Sequence, residues 1–236
     1  MQQPQATDVF AAPGWWSEDN RTYASLRAVN AVRLEYLRAW QCDWFGASGP
    51  RNVVDFGCGG GLMAVPIAQQ GARVIAVDRC LPAVREGATL GIAGVHFVCG
   101  DLNASPVVDG WADLVLLNDV LEHVDDPTAV VAMAAAVLRP GGAMFVNTIN
   151  RTWRARVLAV WGAEGLGLIP RGTHCADQFV TPAELMAAAR AAALHKTHEG
   201  GESPRLWASL RSGVVALRRS RSTAVGYCMG FQKEHA

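Results

Sequence analysis

The sequence predicts an α/β fold: a doubly wound, mostly parallel sheet of Rossmann-like type, with helices ahead of the first strand and a helical lid inserted after the fifth. Three observations predict it. Short apolar runs alternate with stretches of helical length from Asn52 to Ile149, a glycine-rich turn "DFGCGGG" follows the first run, and the second run closes on an acid, Asp78. With 236 residues, 50% hydrophobic and 18% charged, the chain has an ordinary composition for one domain with a full core. We divide it into a tail, residues 1–14, and a single domain, residues 15–236. Within that domain 15–50 supplies the N-terminal helices and 150–180 the lid.

Each element has its own signal. Met1 to Gly14 is polar and Pro-containing, so order is expected to begin near Trp15. From Arg21 to Phe45, Leu26, Val29, Val32, Tyr36, Leu37 and Trp40 recur at helical spacing, and "GASGP" stops the pattern. "NVVDF" reads as a strand, "GLMAVPIAQQG" as a helix closed by Gly71, "RVIAVD" as a strand, "LPAVREGATLG" as a helix and "VHFVCGD" as a third strand. "ADLVLLN" is a buried strand, Pro127 to Leu138 an Ala-rich helix stopped by "RPGG", and "AMFVNTI" the fifth strand.

Composition excludes several classes. Twenty-one basic residues balance twenty-one acidic ones, so no global charge points to a nucleic acid. Six cysteines without a CxxC pair read as reduced thiols of a cytoplasmic protein, with no zinc or disulfide framework. The first residues lack a basic and an apolar leader region, and no apolar run approaches the ~20 residues of a membrane span. Neither export nor a membrane-spanning helix is expected.

In a doubly wound sheet the ligand sits beyond the carboxyl ends of the strands, where Gly57, Gly59, Gly60 and Gly61 lie. A dinucleotide fingerprint would need glycine at 62, which is Leu, and Asp55 would set a carboxylate where a pyrophosphate binds. No Gly-Lys-Ser/Thr follows, so a P-loop fails too. An uncharged or cationic ligand suits this loop better.

"VVDFGCGGG" resembles the D-x-G-x-G-x-G loop of class I S-adenosylmethionine-dependent methyltransferases, whose cofactor carries a sulfonium and an ammonium but no phosphate. The resemblance implies that Asp55, Gly57, Gly59, Gly61 and Asn118 surround this cofactor, that Asp78 accepts the ribose hydroxyls and that Asp101 meets the adenine amino group. Further stretches, "WWSEDNRTYASLRAVNAVRLEYL", "LNDVLEHVDDP", "LRPGGAMFVNTINR", "GAEGLGLIPRGTHCADQFVTPAEL" and "VGYCMGFQK", resemble the ubiquinone-pathway O-methyltransferases of the UbiG type over about Trp15 to Lys233. There the N-P-x-R motif becomes Asn30-Ala31-Val32-Arg33, implying that Arg33 meets the cofactor carboxylate; a guanidinium suits that group. "GGESPRLWASLRSG" departs from the family's Tyr-Asn-Pro-like segment, and Asp119 stands where Glu is common.

Methyl transfer to a phenol requires positioning and removal of a proton held with a pKa near 10. "NDVLEHVDD" follows the fourth strand and sets Asp119, Glu122 and His123 at i, i+3 and i+4, one face of a helical turn. These three would either hold a divalent cation such as Mg²⁺ or Zn²⁺ under a catechol, or leave His123 as a base oriented by a carboxylate. Trp15 and Trp16 are expected to cover the pocket, with Trp16 against the substrate, and the family segment around His174 implies that it lines the substrate site too. From Asn150 to Gly172, Arg151, Arg154, Arg156 and Arg171 alternate with Trp153, Val157, Leu158, Trp161, Leu166, Leu168 and Ile169, the pattern of a helix lying on an anionic membrane surface, with a purely internal lid or a surface for a partner protein open beside it. The reading is therefore a cytoplasmic O-methyltransferase, peripheral at the inner membrane face, acting on a polyprenylated aromatic acceptor. A methyltransferase for a soluble aromatic or secondary metabolite, and a non-catalytic cofactor-binding subunit of a quinone-biosynthesis complex, stay open beside it.

Overall fold

The computed structural model describes residues 10–102, 104–158, 165 and 175–234. A long helix, α1 (Arg21–Phe45), precedes the sheet; Asn20 caps it, its side chain accepting from the Tyr23 N–H at 3.4 Å. Then come β1 (Asn52–Phe56), α2 (Ala64–Ala68), β2 (Arg73–Asp78), α3 (Leu81–Thr89), β3 (Val95–Cys99), β4 (Ala112–Asn118), α4 (Pro127–Val137) and β5 (Leu138–Ile149). After the inserted segment follow α5 (Pro182–Ala191), β6 (Leu194–Pro204), α6 (Leu206–Ser212), β7 (Leu217–Ser220) and β8 (Gly226–Lys233).

The eight strands form one sheet in the order β3-β2-β1-β4-β5-β8-β6-β7. β1 to β5 pair parallel with one another, while β5–β8, β8–β6 and β6–β7 pair antiparallel. The expected doubly wound, mostly parallel architecture is therefore present. Successive side chains of β4 face opposite layers. Leu114 and Leu116 pack with Leu37 and Trp40 of α1 and Ile67 of α2, and Val115 and Leu117 with Val130, Val131 and Ala134 of α4. Burial on both faces explains why this strand reads as a continuous apolar run.

Two boundaries differ from the sequence expectation. "RPGG" does not separate α4 from β5 but lies inside β5, because the pairing jumps from Ala112–Leu138 to Leu114–Ala143 and the intervening residues bulge out. Residues ahead of Trp15 also pack: the Phe10 ring is 6.1 Å from Trp15, and the Tyr23 hydroxyl donates to Ala12 O at 2.6 Å. Of the inserted segment, Trp153–Ala155 form one helical turn that widens through Leu158. Residues 159–164 and 166–174 of the lid, His174 and Arg171 among them, lie outside the described residues.

Strand order reverses between β1 and β4, so the loops after these strands open a crevice at the carboxyl edge of the sheet. The glycine loop and the Asp119–His123 segment border it.

Candidate cofactor and acceptor site

The loop after β1 is held from below and above. Below, the Asp78 carboxylate at the end of β2 accepts from the Gly59 N–H and the Cys80 N–H, both at 2.8 Å. Above, Trp15 lies so close that a Cβ on Gly59, whose φ is +51°, would sit 2.3 Å from its ring. The Trp16 indole N–H donates to Gly60 O at 2.9 Å, and Trp15 stacks on Tyr23 with ring centres 4.5 Å apart. Both tryptophans thus clamp the loop, so a side chain at Gly59 collides first with Trp15.

Asp55 is buried beneath this loop. Burial, and then the Asp78 carboxylate, push its pKa up to about 8, while the Ala64 N–H at the start of α2 hydrogen-bonds it. Among the described residues its Oδ2 has no donor, the Asn118 Oδ1 has none, and the Trp15 Nε1 has no acceptor. Buried polar groups without partners are costly, so orphaned acceptors ringing a glycine loop fit a ligand that brings donors. Ribose hydroxyls and an ammonium are such donors. Asp101, after β3, is exposed at the same carboxyl edge.

The second half of the crevice centres on Arg33, delivered by α1. Its guanidinium makes a bidentate pair with Asp119, donates from Nε to Glu202 Oε1 at 3.2 Å and from one terminal nitrogen to Asn30 Oδ1 at 3.1 Å. Burial works against the charge, but Asp119 and Glu202 outweigh it and hold the guanidinium firmly protonated. Asn118 donates to Asn30 Oδ1 at 3.0 Å, which extends the network to the end of β4. Burial raises the Glu202 pKa against the pull of Arg33.

The expected face of Asp119, Glu122 and His123 does not form. Asp119 has φ +53°, outside any helix, and only Leu121–His123 make a 3₁₀ turn. Its carboxylate is spent on Arg33, whereas Glu122 is buried and accepts from the Thr148 hydroxyl at 2.6 Å. His123 is half-buried, with Phe10 edge-on at 6.2 Å. Among the described residues no group of three His, Cys, Asp or Glu side chains converges to hold a metal. The donor set does not fit the divalent cation expected there. Burial, and then Asp119, push Glu122 up to about 8 instead.

Sequence reasoning missed Glu202 and Thr148. The usable signal for Glu202 was its being the last acid before Glu234, behind two glycines that let β6 pass Tyr36 and Ser222 closely. Thr148 carried no signal. A groove of about 400 Å³ behind Leu121, lined by Val124, Val131, Phe179 and Leu185, shares no residue with the glycine loop.

The fold places the chain in the doubly wound α/β class, with a glycine loop at its switch point, and comparison with known proteins gives the family. A methyltransferase domain model matches residues 23–199. The ubiquinone biosynthesis O-methyltransferase of Xanthomonas oryzae pv. oryzae (strain PXO99A) is 38% identical over 93% of this chain and 90% of its own length. That of Cupriavidus pinatubonensis is 34% identical over 98% and 90%. Among solved structures, the magnesium protoporphyrin IX methyltransferase of Synechocystis PCC 6803 with bound SAH shares the fold, with TM-score 0.64, 19% identity and coverage of 97% and 92%. A SAM-dependent methyltransferase from Aquifex aeolicus matches with TM-score 0.60, 12% identity and coverage of 98% and 99%. The chain belongs to the S-adenosylmethionine-dependent methyltransferases, within the ubiquinone biosynthesis O-methyltransferase family.

Proposed function

We propose that this enzyme O-methylates a phenolic or catecholic hydroxyl of a polyprenylated quinol precursor, and that it does so beside the membrane. The observation that carries the reading is the buried Glu122 carboxylate in the turn after β4, which accepts from the Thr148 hydroxyl at 2.6 Å and whose pKa burial pushes up; the names of the relatives support the acceptor class. When bound, S-adenosylmethionine supplies an electrophilic methyl group. Asp78 and Asp101 are the acceptors for ribose and adenine, Asp55 and Asn118 for the remaining donors, and Gly57, Gly59 and Gly61 let backbone approach. Arg33 would offer its guanidinium to the cofactor carboxylate by exchanging with Asp119. Trp15 and Trp16 exclude water from the loop, and Trp16 borders the acceptor, as His174 would.

Proton removal falls to Glu122 and His123. A base with pKa near the working pH combines availability of the basic form with driving force, and Thr148 fixes the Glu122 carboxylate in one orientation. The peripheral contact is proposed through residues 150–172, of which Trp153 is 72% and Val157 39% exposed. No helix among the described residues is long and apolar enough to cross a membrane.

Transfer of labelled methyl from S-adenosylmethionine to a polyprenylated catechol tests the reading. A labelled ether is expected. Cofactor binding without transfer to any phenol would contradict it.

A further inference from the structure

Helix α6 turns the wrong face to water. The residue it buries is Ser209, whose hydroxyl donates to Arg205 O at 3.2 Å and accepts from the Ala216 N–H at 2.9 Å. Leu206, Trp207 and Leu210 are exposed by 56%, 82% and 54%. A surface helix of a soluble protein normally shows the reverse arrangement. Gly213 in the left-handed conformation ends the helix, and Val215 N–H donates to Ser25 Oγ of α1 at 3.1 Å, so the helix is anchored at its far end.

The surrounding charge has one sign. From Ser203 to Lys233 there is no acidic residue, while Arg205, Arg211, Arg218, Arg219 and Arg221 are all exposed. Arg219 lies over the Tyr36 ring at 4.4 Å; among the described residues none of the five has an acidic partner. β6 carries Glu202 to Arg33 and then runs directly into α6, so this surface is the rim of the acceptor crevice. The same rim continues to exposed Trp153: Asn150 donates to Thr223 O at 2.8 Å and Thr152 to Ala224 O at 2.6 Å, joining the residues after β5 to those before β8.

We propose that α6 and β7 form a docking surface for an anionic bilayer, with Leu206, Trp207 and Leu210 entering the interface and Arg205, Arg211, Arg218 and Arg221 meeting lipid phosphates. Leucine beside tryptophan, ringed by arginine, suits the boundary between acyl chains and anionic headgroups. A second copy fits poorly, because a two-fold contact would set this arginine ring against its own image. A nucleic acid would leave the leucines without apolar partners. The inference rests on the reading of a lipid-borne acceptor and names a surface that brings the crevice mouth to the lipid.

The test is co-sedimentation of the full chain with phosphatidylcholine vesicles containing phosphatidylglycerol, without cofactor or acceptor. The wild type binds these and not pure phosphatidylcholine. Trp207→Ala with Leu206→Ser lowers binding by at least roughly tenfold, and Arg211→Ala with Arg221→Ala by roughly 25-fold at low salt. Brominated lipid quenches wild-type fluorescence more than that of Trp207→Phe. Unchanged cofactor affinity and melting temperature show that the variants are folded. Wild-type binding by both double variants, equal binding to neutral vesicles, a lipid-independent dimer that Trp207→Ala dissolves, or capture by an acidic protein alone would each overturn the proposal. Docking is read without turnover, so its loss beside intact transfer to a water-soluble catechol condemns the surface, and intact docking without transfer condemns the proposed function.

Discussion

The two halves of the crevice are built by opposite means. The cofactor half is local: Asp55, the glycines and Asp78 lie within one βαβ unit, and backbone N–H groups and a tryptophan hold them. The other half, where the cofactor's carboxylate end would adjoin the acceptor, is assembled from afar, with Arg33 of α1 joined to Asp119 after β4 and to Glu202 of β6. The first half can be preorganised by the turn alone, whereas the second exists only when helix, sheet and its antiparallel end are all in place. Mutations in the local half should therefore act on cofactor affinity with little effect on the fold, whereas those in the distant half should act on stability first.

The largest effect should come from breaking the distant half. Glu202→Ala leaves the buried Arg33 with one carboxylate instead of two, and removing one partner from a buried charge cluster costs about 3–5 kcal/mol. Chemical denaturation should report this loss, and a change under 1 kcal/mol would mean that Glu202 does not support Arg33. Gly59→Val should follow: the side chain meets Trp15, not only the ligand, so cofactor binding disappears and calorimetry detects no heat. Retained binding would reduce the loop to an ordinary turn.

Asp78→Ala should be milder on the fold but specific in function. It removes two charge-assisted hydrogen bonds from the loop as well as the acceptor for ribose, a loss of about 2–3 kcal/mol in cofactor affinity with the rate at saturation nearly kept. A fall in rate at saturation would erase the division between the halves. The smallest effect is expected for Arg156→Ala, which breaks an exposed pair with Asp177 and should change stability by no more than about 0.5 kcal/mol.

What the sequence carried and what it concealed follow the same division. The glycine loop, Asp78 and the strand–helix alternation are short-range patterns, and periodicity with turn chemistry exposes those. Asp119, Glu122 and His123 misled because i, i+3, i+4 spacing implies one face only if the chain is helical from the first residue. Asp119 instead takes a left-handed conformation and pairs with Arg33. That choice depends on α1, far away in the chain, and no local pattern could report it. The burial of Glu202 was hidden for the same reason, although the non-acidic stretch after it was visible.

Glu122 gives the central claim its most direct test. The folded chain holds its proton up to about 8, against an ordinary value of 4.5, so stability contributed by the protonated form is complete below 4.5 and is lost as the pH rises through about 8. The same titration should govern transfer. The decisive measurement is single-turnover methyl transfer to a catechol at saturating cofactor across the pH range around 8, for the wild type and Glu122→Gln. The account predicts a wild-type rate that climbs as Glu122 ionises, and a variant slower by roughly 10²-fold or more that lacks this limb. Superimposable profiles for the two proteins would contradict it and leave Glu122 as a structural partner of Thr148.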